Sequence, residues 1–177
     1  MIEVRCSMVI SPNGFIARPD GDEGWVSEES WQDFIRDAEE ANNFIVGRKT
    51  YESVMANYGN ENFSVIKARH KIVITHDTRF KPDGSFTAMR NPQEAIGFLR
   101  QQPDVHEILL AGGGELNAAF AKDGLIDVLE LVVEPHLIGA GRPVFGVGDY
   151  ELKLKLQEVH SLSNERARLI YSVQKQQ

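Results

Sequence analysis

Twice in this chain a short apolar run ends in glycine and passes directly into a helix-compatible segment: NFIVG into RKTYES at 43–53, and EILLAGGG into ELNAAFAKDG at 107–124. A continuous apolar run of four or five residues bounded by glycine suits a strand buried on both faces. A buried strand followed at once by a helix is half of a β-α-β unit, which calls for parallel strands with helices packed against them. The two junctions therefore predict an α/β sheet.

The other segments fit around that pair. Residues 2–10 read as a strand, and the 17-residue stretch SPNGFIARPDGDEGWVS (11–27), with three glycines and two prolines, reads as a long loop of the kind that forms lids. Ser27 begins a capped helix in which Trp31, Phe34, Ile35 and Ala38 repeat at helical spacing to about Asn42. A helix from about Thr50 to Ala56, a loop at 57–69 and a strand at 71–75 follow. SFTAMR (85–90) reads as a strand, and Asn91-Pro92 opens a helix to about Gln101 with proline at a tolerated first position. After a strand at 125–135 and a glycine-rich loop at 137–149 the period changes. Leu152, Leu154 and Leu156 alternate, as do Ala167, Leu169, Tyr171 and Val173 around SLSNE, the mark of an antiparallel hairpin. β-α units first and antiparallel strands last give one mixed sheet, in a single domain spanning 1–177.

Charge and composition narrow the partners. A formal charge of −7 argues against nucleic acid, whose affinity needs many cations on phosphates. Runs such as IDVLELVVEP are cut by acids long before the roughly 20 apolar residues of a membrane helix. One cysteine, Cys6, and the opening MIEVRCS without a signal region lead us to expect a cytoplasmic protein. His70, His76, His106, His136 and His160 show no ligand spacing, so no metal is expected, and Gly-x-Ser-x-Gly is absent. The acids at 20–23 and 37–40 read as solvated surface.

The first turn of a helix carries free N–H groups and a partial positive charge, so a helix start stripped of side chains seats an anion. Gly47 and Gly112-Gly113-Gly114 bare two such starts, Thr50 adds a hydroxyl, and Arg48 and Lys49 add cations. A plain turn followed by a solvated basic surface has the same composition. Two such junctions, with a third strand end at Thr75-His76, suit a ligand with separated phosphates across the carboxyl ends of several strands, as a dinucleotide is. Neither a Walker A loop nor G-x-G-x-x-G after a strand is present.

The combination of SPNGFIA, GWVS, VGRKTYES, LLAGGGEL and GLIDVLELVVEPHLIGAGRPVF, in that order, resembles the dihydrofolate reductase-like superfamily over residues 2–174. The nearer likeness is to the branch of the riboflavin-biosynthesis reductase (RibD) C-terminal domain. The resemblance implies a mixed, mostly parallel eight-stranded sheet flanked by helices, with NADPH across the strand ends and hydride transfer to a small heterocycle. It places Gly47, Arg48 and Thr50 on the cofactor phosphates, with Arg48 favouring the 2′-phosphate of NADPH. Thr75 and His76 fall near the adenosine, and Ile16 and Ala17 edge the nicotinamide. Gly112, Gly113, Gly114, Glu115 and Leu116 form the second phosphate turn, with a Gly-Gly bond that is often cis in relatives.

The chain also departs from the relatives. Where dihydrofolate reductases carry a buried carboxylate in the first helix, this sequence has Trp31, which cannot ionise, and Asp33 lies roughly 200° further round the helix. Folate reduction is therefore not expected, and the proton source is left open between water and a pocket side chain. In the riboflavin branch Trp25-Val26-Ser27 matches a segment that helps hold the substrate, so Trp25, Ser27 and Trp31 are the substrate candidates, while Ser27 serves equally as a helix cap. A sugar-phosphate substrate calls for arginines, and Arg18 and Arg36 are the nearby ones in this half. The expectation is a reductase using NADPH on a pterin- or pyrimidine-like substrate. The pyrimidine reductase of riboflavin synthesis and a non-catalytic nucleotide-binding protein are the alternatives. Relatives often pair, so a homodimer through the apolar C-terminal strands is expected as well.

Overall fold

The computed structural model describes residues 2–59 and 63–175. Along the chain run β1 (Glu3–Ile10), β2 (Phe15–Ala17), α1 (Glu28–Ala41), β3 (Asn43–Gly47), α2 (Arg48–Tyr58), β4 (His70–Ile74) and β5 (Phe86–Met89). Then come α3 (Pro92–Leu99), β6 (Glu107–Leu110), α4 (Gly114–Lys122), β7 (Val128–Val133), β8 (Arg142–Pro143), β9 (Lys153–Ser161) and β10 (Ala167–Gln174). Part of the loop expected at 57–69 falls at 60–62, outside the described residues. No helix among the described residues is long and apolar enough to cross a membrane.

Eight strands form one sheet in the order β5-β4-β3-β6-β1-β7-β10-β9. Every pairing from β5 to β7 is parallel, and only the two involving β10 are antiparallel. This is the mixed, mostly parallel sheet with a C-terminal hairpin that the alternating segments predict. Successive residues of the central strands bury opposite faces. Ile45, Ile72, Ile108 and Leu110 join Val4, Cys6, Leu99 and Phe120 on one side. Phe44, Val46, Val73 and Leu109 join Ala38, Tyr51 and Phe63 on the other. Both faces are covered by helices, which is why these strands carry apolar runs without polar alternation.

Helix starts divide into two kinds. The Ser27 hydroxyl accepts from Ser30 N–H at 3.3 Å and starts α1, and the Asn91 side chain accepts from Glu94 N–H at 2.9 Å and starts α3 ahead of Pro92. The N-cap residues of α2 and α4 are Gly47 and Gly113, and neither supplies a side-chain cap. Those two helices sit where the sequence predicts anion seats.

Both long loops hold pieces of strand that periodicity does not reveal. β2, inside 11–27, pairs antiparallel with β8, inside 137–149. Two or three residues are too few to show a period, and their partners lie more than a hundred residues apart. At the far end of the sheet a bulge between Ile170 and Tyr171 resets the register of β9 against β10. The shift brings Val159, opposite Leu169, onto the face of Leu154 and Leu156, which oppose Val173 and Tyr171. Leu154, Leu156 and Val159 are 38%, 50% and 59% exposed, an apolar row on an edge strand.

Candidate active site

The two bare helix starts meet. Gly47 N–H donates to Gly112 carbonyl oxygen at 2.8 Å, tying the end of β3 to the turn after β6. The Gly112-Gly113 peptide is cis and Gly112 has φ +86°, a left-handed value that a side chain resists. Gly114 permits a different close approach, because a Cβ there would lie 2.3 Å from the Pro143 carbonyl oxygen. Gly146 N–H then donates to the Gly114 carbonyl at 2.8 Å, and Asn117 donates to the Val144 carbonyl at 2.8 Å. The segment 142–146, expected as a simple loop, is thereby fastened over the start of α4.

Around these corners opens a groove of about 920 Å³ across the carboxyl ends of the strands. Gly47, Arg48, Thr50, Gly113, Gly114, Glu115 and Leu116 line it, with Ile16 and Ala17 at one side and Thr75 and His76 at the other. Gly112 does not line the groove; it sits behind the wall and supplies the carbonyl that joins the two corners. The groove also uses residues that no local pattern singles out, among them Asp77, Gln93, Arg142 and Pro143. Arg48 is already engaged: its guanidinium pairs with Asp77 at 3.0 Å and Glu52 at 3.1 Å and lies 5.5 Å from the centre of the Phe80 ring. The Asp77 carboxyl is held below the usual range by the Arg79 backbone N–H and by Arg48. Lys49 and Glu115 pair at 2.9 Å between the two helix starts, an exposed contact worth little by itself.

A second, inner cavity of about 150 Å³ joins the groove. Its apolar wall includes Met8, Ile16, Trp31, Phe34 and Val54, and its ionisable groups are Glu23, Asp33, Asp37, Glu130 and Arg168. Most of these are fixed by ion pairs. Arg5 reaches Glu107 at 2.7 Å, Glu130 at 3.0 Å and Asp37 at 3.4 Å, and although burial works against its charge, these carboxylates raise its pKa. Arg168 lies 3.5 Å from Glu130 and 3.6 Å from Asp33, and its buried Nε has no hydrogen-bond partner. Burial pushes Asp37 up against the opposing pull of Arg5. Asp33 sits low because Arg36 and Arg166 outweigh the burial that would raise it.

Several expectations change here. Ser30, Asp33, Phe34 and Asp37 form one face of α1 at helical spacing, and the cavity runs along it while also reaching Trp31. Asp33 therefore faces the cavity alongside Trp31, contrary to the angular argument, because the cavity covers a wide arc of the helix. Asp37, expected as solvated surface, is 8% exposed. Trp25 and Ser27 do not line the cavity. Trp25 is buried near His136, and the Ser27 hydroxyl caps α1 and donates to Glu134 at 2.6 Å. Glu134 also accepts from Ser30 at 2.6 Å, and Arg166 donates to that same hydroxyl at 2.8 Å. Arg18 and Arg36 are committed to Asp22 and Asp33. The arginine that lines the cavity, Arg168, comes from β10, where nothing short of the strand order β1-β7-β10 places it near α1.

The sequence profile of the RibD C-terminal domain matches residues 3–167. The protein YwjB of Bacillus subtilis (strain 168) is 28% identical over 158 residues, covering 85% of this chain and 86% of its own. Among solved structures, Acinetobacter baumannii RibD superposes with a TM-score of 0.76 at 19% identity, over 98% of this chain and 58% of that one. A pyrimidine reductase-like protein of Corynebacterium diphtheriae gives 0.75 at 15% identity, over 99% and 93%. At these identities the superpositions speak to the fold.

Proposed function

The chain belongs to the RibD C-terminal domain family, and from that premise we propose that it is an NADPH-dependent reductase acting on a small amino-bearing heterocycle. The observation that carries this reading is the pair of uncapped helix starts, joined by the 2.8 Å hydrogen bond from Gly47 to Gly112 and opening on one groove. The amides at the starts of α2 and α4 have no side chain to satisfy them, which is the donor set a pyrophosphate needs. Gly114 serves the seat indirectly, since only a residue without Cβ lets the Pro143 carbonyl pack against the start of α4 and hold segment 142–146 at the groove's edge.

Bound there, NADPH supplies the hydride. The chain's own residues do the rest. Thr50 adds a hydroxyl next to Gly113, and Arg48 offers its guanidinium to the 2′-phosphate in exchange for Asp77 and Glu52. Ile16 and Ala17 exclude water beside the ring, and the apolar wall of Met8, Trp31 and Phe34 orients a flat substrate. Glu23, Asp33, Asp37 and Glu130 outnumber Arg168 around the inner cavity, an arrangement that suits exocyclic amino groups.

The riboflavin-pathway reading, with a ribosylamino-pyrimidine phosphate as substrate, shares this cofactor and amino-bearing ring. Its phosphate would need an anchor beyond Arg5, Arg166 and Arg168, all committed to carboxylates. Oxidation of NADPH in the presence of that pyrimidine favours it, and NADPH binding without turnover on a heterocycle panel favours a binding protein.

A thermal-shift titration with NADPH, NADP, NADH and ATP tests the cofactor. Ligand at 100 times its Kd stabilises by about 2.7 kcal/mol, roughly 5–11 °C for a chain of this size. The reading fails if none of the four raises the midpoint. We extend the proposal to a homodimer through the exposed row Leu154, Leu156 and Val159 on the sheet edge. Light scattering would show a dimer for the native chain and a monomer for Leu156→Glu with Val159→Glu; a native monomer refutes it.

A further inference from the structure

The groove and the inner cavity share four lining residues: Ile16, Glu23, Thr50 and Gly113. If the groove takes the dinucleotide and the cavity the substrate, as proposed above and as this inference requires, their reacting ends meet at this junction. Reduction there needs a proton as well as a hydride. Ile16 and Gly113 have no side-chain proton to give, and Thr50 carries a hydroxyl that does not ionise near neutral pH. Asp33, Asp37 and Glu130 line the cavity but not the groove, and each is paired with an arginine. Glu23 is the carboxyl that faces both spaces, and among the described residues its side chain makes no hydrogen bond or close ion pair.

The loop carrying Glu23 is held in place. Ser53 on α2 donates to the Gly21 carbonyl at 3.4 Å, and Arg142 on β8 donates to the Pro19 carbonyl at 3.4 Å. The Arg142 guanidinium covers Gly21 so closely that a Cβ there would lie 2.9 Å from it. Val26 N–H closes the turn on the Glu23 carbonyl at 2.9 Å.

We infer that Glu23 is the catalytic proton donor of the reduction. As the carbon of a substrate C=N or C=O bond gains a hydrogen with its electron pair from the reduced nicotinamide, the π pair moves onto the heteroatom. Glu23 gives its carboxyl proton to that heteroatom. The substrate leaves reduced by two electrons, the cofactor leaves oxidised, and the Glu23 carboxylate regains a proton from water through the groove. The charges also match in sequence: the carboxylate appears as the neighbouring ring becomes cationic.

The surroundings support the assignment. Burial raises the Glu23 carboxyl to about 7, with Arg142 opposing and Asp22 reinforcing the rise. Across the cavity stand Asp33 and Asp37 of α1, Glu130 of β7 and Arg168 of β10; on the groove side stand Arg48 and Lys49 of α2, His76 and Asp77 after β4, Glu115 of α4, Asp123 after it and Arg142 of β8. At neutral pH Glu23 thus holds a transferable proton, which is the condition a general acid must meet.

Two measurements test this without a known substrate. In the full chain labelled with ¹³C at the glutamate carboxyl carbons and free of ligand, one resonance should titrate near pH 7 and be missing from Glu23→Gln. A Glu23 resonance titrating with the ordinary glutamates overturns the inference whether or not any nucleotide binds. Next, the Kd values of NADPH and NADP are measured from pH 5.5 to 8.5. Their ratio cancels the 2′-phosphate, which both share, and isolates the nicotinamide end. Ionised Glu23 should favour the cationic ring, so NADP should gain about fivefold on NADPH across pH 7 in the native protein and not in Glu23→Gln. Parallel pH curves in the native protein overturn the inference while leaving the cofactor reading intact; failure of both nucleotides to bind overturns the cofactor reading, and the donor role with it.

Discussion

Replacing Glu23 by glutamine should stabilise the protein, and by an amount that depends on pH in one direction. The folded structure raises this carboxyl from 4.5 to about 7. A tenfold change in proton affinity corresponds to about 1.36 kcal/mol, so the rise sets a ceiling of about 3 kcal/mol on the cost of ionising this group in the fold. Because Glu23 also reaches water through the groove, we discount that ceiling by half, to roughly 1.5 kcal/mol. The native state holds the proton more tightly than the unfolded chain, so no cost exists below about pH 4.5, it grows through the interval, and it is complete above about pH 7. Glutamine has the shape of the protonated acid and never ionises. Melting curves of Glu23→Gln and the native chain should therefore coincide at pH 4.5 and separate by roughly 3–6 °C at pH 8, the variant being higher. A separation that is constant with pH, or one in which the variant melts lower at pH 8, would refute the claim that burial dominates the environment of Glu23.

Three further outcomes follow from particular contacts. Gly114→Ala drives a Cβ into the Pro143 carbonyl and should cost about 1–3 kcal/mol in urea unfolding and abolish the NADPH-induced thermal shift, whereas Gly97→Ala, exposed on α3 with nothing within 4 Å, should gain about 0.5–1 kcal/mol. Asp77→Asn removes one of the two carboxylates holding Arg48 and should tighten NADPH about threefold relative to NADH by calorimetry; an unchanged ratio would mean that Arg48 does not meet the 2′-phosphate. Arg5→Met leaves Glu130 and Asp37 buried beside no Arg5 cation and should cost about 3–5 kcal/mol at pH 7, with part of the loss recovered as the pH is lowered, because burial already raises Asp37 and loss of Arg5 raises it further.

The sequence by itself determined the frame. Apolar runs ending at Gly47 and at Gly112-Gly113-Gly114 are local signals, set by burial and by the conformational needs of a few neighbouring residues, so the sheet class, the helix starts and much of the groove's lining could be read before any contact was known. The terminal hairpin was legible for the same reason, since alternation over seven residues is a local property. What the tertiary structure alone decided was the chemistry between the elements. Asp37 and Glu23 look like surface acids in sequence because charge is usually solvated, and only packing shows that one meets Arg5 and the other a junction of two cavities. Arg166 and Arg168 lie more than 130 residues from Ser30 and Asp33, and Arg142 lies 123 from Pro19. Helix and strand periods report which face of an element is buried; the partner on that face is chosen by strand order, and strand order is a free-energy outcome of the whole chain.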